Sequence, residues 1–181
     1  MAWEADFLGS MSNLRGPVMD KIMWFFSMLG DGGWFLILTT IVLLIMVKTR
    51  RIGVEAAASL ILTFIIGNLI IKSIVGRIRP YDAYTFLHAI VSKPIDSSFP
   101  SGHTSNSFAV AVAILLNDRK LGIPAVIVAA MIAFSRLYNV VHYPTDVIAG
   151  LILGTTAAVT VHILYNKLIR NKIVEDIRTT N

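Results

Sequence analysis

Residues 54–75, VEAAASLILTFIIGNLIIKSIV, decide the fold. Glu55 near the start and Lys72 near the end enclose an apolar run long enough for a bilayer crossing, which asks for about 20 such residues in a helix. Working outward, four more apolar runs appear, each bounded by charges or by Gly and Pro: Trp34 to Val47, Ser105 to Leu116, Ile123 to Val140, and Val147 to Ile163. All five read as transmembrane helices, although two are short and need flanking residues to complete the crossing. The whole chain agrees: of 181 residues, 55% are hydrophobic and 15% charged, with mean hydropathy +0.71, where soluble domains carry about 25% charged residues. The expected fold is all-α, a polytopic transmembrane helix bundle forming a single domain over residues 1–181, without internal repeat or low-complexity segment.

The stretch from Met1 to Gly30 reads differently. Asp20 and Lys21 interrupt it, and only Ile22 to Leu29 is strongly apolar. Trp3, Phe7, Leu8 and Met11 fall at helical spacing opposite Glu4 and Asp6, and Trp24, Phe25 and Phe26 suit headgroup depth, so an amphipathic interfacial helix is expected. The competing reading is a short sixth span from Pro17 to Leu29. No basic stretch followed by an apolar core and a small-residue cleavage site opens the chain, so no cleavable signal peptide is expected.

Net charge is +5, yet the basic residues form short clusters between apolar runs, which is a topology signal and not a nucleic-acid footprint. Lys48, Arg50 and Arg51 follow the first of the five runs, Arg119 and Lys120 the third, and Lys167, Arg170 and Lys172 the fifth. All three clusters fall on one side, the cytoplasmic one by the preference of Lys and Arg for inner loops, which also puts the C-terminus inside. The loops Gly76 to Gly102 and Arg136 to Asp146 then share the outer face of a bacterial cytoplasmic membrane. Cysteine is absent, which excludes a disulfide framework, a thiolate metal site and a cysteine nucleophile.

Those outer loops hold three blocks: Lys72-x6-Arg79-Pro80, Pro100-Ser101-Gly102-His103, and Ser135-Arg136-x5-His142-x3-Asp146. Lys72, Arg79 and Arg136 are three cations, two of them planar forks that meet two phosphate oxygens at once. Ser101, Gly102 and His103 lead into an apolar helix, so their N–H groups are unpaired donors suited to an anion, and Gly102 permits close approach. His142 and Asp146 are four apart; in a helix they share a face, and the carboxylate then holds one ring nitrogen while the other points at phosphorus. Phosphoryl transfer needs this kind of set, because its catalysis is mainly positioning and electrostatic stabilisation. The acidic residues form no convergent oxygen cage and the two histidines lack a third ligand, so neither a metal nor another cofactor is expected. Arg77, Asp82, Lys93 and Asp96 read as loop charges facing water or headgroups, His88 and His162 match no pattern, Glu55 is expected at the interface, and Asn68 is expected to bond a neighbouring helix.

In order, spacing and residue type the three blocks resemble the signature of the type 2 phosphatidic-acid phosphatase superfamily, whose members include bacterial lipid phosphatases and, more distantly, soluble vanadium haloperoxidases. The resemblance runs from Lys72 to Asp146. It implies that His142 is the nucleophile, passing through a phosphohistidine, that Asp146 orients it, and that His103 is the general acid. It also implies that Lys72, Arg79, Ser101, Gly102 and Arg136 bind phosphate. The short chain resembles bacterial members acting on undecaprenyl diphosphate; phosphatidylglycerol phosphate and phosphatidic acid remain competing substrates, since all three present a phosphate. The expected partners are a membrane lipid phosphate and the bilayer, with no nucleic acid. A transporter or flippase that only binds phosphate headgroups is the rival from another class, but it leaves the paired His142 and Asp146 opposite His103 without a purpose.

Overall fold

The computed structural model describes the backbone of residues 2–180 and the side chains of residues 3–11, 13–169 and 171. Among the described residues there are helices and turns and no strand. In chain order the elements are α1 (Ala2–Met11), a 3-10 turn (Ser12–Leu14), α2 (Pro17–Gly30), a glycine turn (Asp31–Gly33), α3 (Trp34–Ile45), α4 (Arg50–Thr63), a π-helical stretch (Phe64–Ile71), α5 (Lys72–Val75), α6 (Pro80–Ala83), α7 (Gly102–Asn117), α8 (Arg119–Tyr138) and α9 (Pro144–Thr180).

Among the described residues, four stretches are long and apolar enough to cross a membrane: Pro17–Ile45, Arg50–Ala83, Arg119–Tyr138 and Pro144–Ile169. This count differs from the five expected spans at two runs. Trp34 to Val47 is the second half of a longer helical stretch, because α2 continues into α3 through Asp31–Gly33 alone. Gly32 and Gly33 make that join with φ of 59° and 70°, a conformation that costs glycine little. Ser105 to Leu116 falls within α7, whose 16 residues rise only about 24 Å, short of the roughly 30 Å hydrocarbon layer. It still runs from the loop end to the opposite end, as the buried centre of the bundle, packed against α8, α9 and α4.

Close approach of backbones explains why α7 sits there. Gly150 and Gly154 of α9 face it; a Cβ on Gly150 would stand 2.7 Å from the Ser101 carbonyl oxygen, and one on Gly154 would overlap that of Ser105. Small residues four apart let helices meet where lipid supplies no hydrophobic drive. Ala109, Ala113 and Ala158 continue the tight seam, all 0% exposed. After α7 the chain reverses at Asp118, whose carboxylate caps α8 by accepting from the N–H groups of Lys120 and Leu121. The basic pairs Arg50–Arg51 and Arg119–Lys120 therefore lie at the end of the bundle opposite the two long loops, with Lys167 towards the same end of α9; the side chains of Arg170 and Lys172 lie outside the described residues.

The N-terminal segment also differs from expectation. The face of α1 that packs inward carries Glu4 and Leu8, both 0% exposed, and Ala5, while Trp3 and Phe7 point outward. Leu8 and Ala5 pack on Leu87, Val140 and Tyr143. Helix α2 packs along α8, with the Tyr138 hydroxyl donating to Asp20 at 2.5 Å. The helices α1 and α2 thus embrace the loop end of the bundle.

Candidate active site

Where α5, α7, α8 and α9 meet their loops, a cavity of about 650 Å³ opens. Its head is walled by Lys72, Arg79, Asp96, Gly102, His103, Arg136 and His142, and it continues as an apolar groove between α3 and α4 lined by Ile37, Ile41, Leu60, Ile61 and Phe64. The π-helical stretch forms the rim of this groove and turns Asn68 onto the cavity wall, beside Gly102, where a helix partner had been expected.

All three expected cations reach the head. Arg79, 4% exposed, donates from Nη1 to the Val141 carbonyl at 2.8 Å, and to Asp96 from Nε (backbone, 2.8 Å) and Nη2 (carboxylate, 2.6 Å). Lys72 donates to the other oxygen of that carboxylate. Arg136, 2% exposed, donates to the Ser27 hydroxyl of α2, and its Nε has no partner among the described residues. Arg136 also lines the cavity head, so its guanidinium is placed to meet an anion there.

His142 lies in the turn between α8 and α9, not on a helix, since α9 begins at Pro144. Val140, at φ 57°, starts that turn in a region β-branched residues rarely adopt. The Nδ1 of His142 is 2.7 Å from the Ser98 carbonyl oxygen, which only accepts, so the ring proton sits on Nδ1 and the lone pair on Nε2. Nε2 points to the cavity head, 3.4 Å from Arg79 Nη1. Burial, and behind it the charges of Arg136 and Arg79, hold the imidazole well below its ordinary titration range, so it stands neutral. Asp146 is one layer further back: its Oδ2 is 3.5 Å from Nδ1, and it accepts from the Ser98 hydroxyl at 2.5 Å and the Tyr143 N–H at 2.9 Å. The direct partner of the ring is thus the Ser98 carbonyl, a residue the sequence pattern did not single out.

His103, in the first turn of α7, faces the same cavity from the opposite wall, its ring packed on Gly30. Its Nε2 is 2.8 Å from Asp31 Oδ1, a carboxylate that only accepts, so this nitrogen carries a proton directed at Asp31. Asp31 belongs to the glycine turn and was not anticipated; nothing in a one-dimensional pattern links it to His103, 72 positions away. Gly102 borders the cavity, and the N–H groups of Gly102 and His103 precede the first carbonyl of α7 that could satisfy them. Ser101 does not join them: its N–H is given to the Asp146 carbonyl at 3.0 Å, and its hydroxyl accepts from Thr104.

Several charges read as solvated prove otherwise. Asp96, though half exposed, binds Lys72 and Arg79 at once; burial alone would raise its carboxyl, but those two cations outweigh it and bring it down to about 2. Arg77 binds Asp146. Glu55, 0% exposed, is buried between helix ends, where it accepts from Asn117 at 2.7 Å and Arg51 at 3.0 Å, with His162 Nδ1 2.8 Å away. Among the described residues no cluster of three or more His, Asp or Glu is arranged to hold a metal.

Comparison with known proteins gives a consistent picture. The family model described as PAP2 superfamily matches residues 52–170. An undecaprenyl-diphosphatase of Sulfolobus acidocaldarius is 36% identical over 117 residues, a match covering 64% of this chain and only 56% of the relative's length. The undecaprenyl-diphosphatase BcrC of Bacillus subtilis is 34% identical over 144 residues, covering 77% of this chain and 72% of the relative. In fold, the chain is similar to the crystal structure of a transmembrane PAP2-type phosphatidylglycerolphosphate phosphatase of Bacillus subtilis, with TM-score 0.76 at 20% identity, covering 92% of this chain and 86% of that one.

Proposed function

Because the chain belongs to the PAP2 superfamily, we propose that it is a membrane phosphatase that hydrolyses a lipid phosphate or diphosphate through a phosphohistidine on His142, without a metal. The observation that carries this reading is the fixed tautomer of His142: Nδ1–H is committed to the Ser98 carbonyl, so the Nε2 lone pair faces the place where Lys72, Arg79 and Arg136 converge. The cations and the first N–H groups of α7 neutralise the non-bridging oxygens. Nε2 attacks phosphorus, the bond to the leaving oxygen breaks, and His103 supplies the proton that this oxygen takes up. Water then attacks phosphorus and gives a proton back to His103, the P–N bond breaks, and inorganic phosphate leaves.

Undecaprenyl diphosphate is the substrate this reading favours. Relatives of that name share about a third of their aligned residues with this chain, and an apolar groove leads from the cavity head between α3 and α4. Phosphatidylglycerol phosphate and phosphatidic acid are the competing substrates. The site belongs at the outer face of the membrane, because the basic residues gather at the opposite end of the bundle. Phosphate release by the purified protein in EDTA, from these three lipids at equal surface concentration, tests the proposal. Full turnover with loss in His142→Ala is expected, by about 10³-fold or more. Loss of turnover on chelation, or retention in His142→Ala, overturns it.

A further inference from the structure

Arg77 is a charged side chain that the phosphate-binding set does not use, and it is tied down from every side. Its Nη1 donates to Asp146 Oδ1 at 2.5 Å and to the Thr145 hydroxyl at 2.7 Å, and its Nη2 donates to Glu4 Oε2 at 2.7 Å. The guanidinium lies 3.9 Å from the centre of the Tyr143 ring. Glu4 and Asp146 are both 0% exposed. The far oxygen of Glu4 accepts from the hydroxyl of Thr145 at 2.6 Å and from its N–H at 3.2 Å, so α1 reaches the first turn of α9 on the same side chain. The main chain of Arg77 takes part too: its carbonyl accepts the Ser98 N–H at 2.9 Å.

We propose that Arg77 is a positioning residue for the reaction at His142, a clamp that holds both groups facing the Nδ1 side of that ring, the Asp146 carboxylate and the Ser98 carbonyl, with Glu4 of α1 bracing it from behind. This rests on the function proposed above. A buried carboxylate persists in its charged form only when paired and hydrogen-bonded. Arg77 supplies the one cationic partner of Asp146 found among the described residues, and the Ser98 hydroxyl and Tyr143 N–H supply the rest. Positive charge develops on the imidazole as Nε2 bonds to phosphorus, and Asp146, fixed 3.5 Å behind Nδ1, offsets it. Arg77 touches neither the cavity head nor any atom that reacts, so its loss acts on turnover and not on binding. The planar fork is suited to the task, because it bridges two carboxylates that a single ammonium could reach only one at a time.

The test is steady-state phosphate release from farnesyl diphosphate in detergent micelles, with thermal denaturation as a check of folding. Arg77→Met is expected to lower kcat by about 30-fold with KM within threefold of the unsubstituted protein, and Arg77→Lys to recover at least half of the loss on a logarithmic scale. Because Arg77 acts through Asp146, Arg77→Met in an Asp146→Asn background is expected to cost less than a further threefold. A kcat within threefold of the original in folded Arg77→Met overturns the role, as does an equal loss in the Asp146→Asn background. Should Arg77→Met fail to fold, Glu4→Gln decides: a several-fold drop in kcat at unchanged KM supports the clamp, and an unchanged kcat overturns it. Absence of phosphate release by the unsubstituted protein overturns the proposed function and the clamp with it, whereas turnover indifferent to Arg77 and Glu4 overturns the clamp alone.

Discussion

One hydrogen bond sets the chemistry of the pocket. A carbonyl beside Nδ1 of His142 settles which nitrogen carries the proton, and burial among cations keeps the other nitrogen bare and neutral, the state a nucleophile needs. The free cavity also holds an anion of its own: Asp96 spans Lys72 and Arg79, so an incoming phosphate competes with a carboxylate for both. Asp96→Asn should therefore strengthen substrate binding, lowering KM about three- to tenfold with kcat little changed, an effect sized for a half-exposed ion pair. A rise in KM on the same assay would mean that Asp96 serves to hold the cations in place. The sequence pattern found the two histidines, Asp146 and the three cations, because they stand at fixed intervals within short blocks. It missed Ser98, Asp31, Asp96 and Arg77, whose partners lie from 17 to 73 positions away or are chosen by packing, which no local spacing records.

Among the elements, α7 and α9 do the positioning. Both begin at the site, with Ser101 donating to the Asp146 carbonyl where they meet, and the bare backbone of Gly150 and Gly154 sets their separation. Gly154→Leu forces a side chain into the Ser105 carbonyl; overpacking of this kind costs about 1 to 3 kcal/mol, and the two helix starts move apart. A lowered midpoint of thermal denaturation together with a fall in kcat is expected, while unchanged stability and turnover would deny that this seam sets the site. The apolar runs made most of these helices legible, since twenty or so uncharged residues have few other fates. Two features were not legible. The join of α2 to α3 depends on two left-handed glycines, which read in sequence as a break, and α7 runs the length of the bundle at its buried centre in only 16 residues, which composition does not tell from a lipid-facing span. The inward face of α1 was misassigned for a related reason: Glu4 is buried because Arg77 and Thr145 await it, and an amphipathic pattern sends a carboxylate outward by default.

The molecule as a whole is a polarised bundle, with its polar loops at one end and its basic clusters at the other. If the loop end faces outward, then, because the natural chain has no cysteine, single cysteines report sidedness cleanly. Lys93→Cys in the long loop should react with a membrane-impermeant maleimide in intact cells, and Arg119→Cys at the start of α8 only after lysis; the reverse pattern would place the site in the cytoplasm. Such an arrangement lets a lipid keep its chain in the groove between α3 and α4 while its phosphate rises to the cations, so a single cavity serves both halves of an amphiphile. The proposed reaction requires His142 to carry phosphate during turnover. Rapid acid-free quenching of the protein in EDTA during turnover of a ³²P-labelled lipid diphosphate, followed by peptide mapping, tests this directly. An acid-labile, alkali-stable label on His142, absent in His142→Ala, is the result predicted; steady turnover with no label on His142, or with label on another residue, contradicts it.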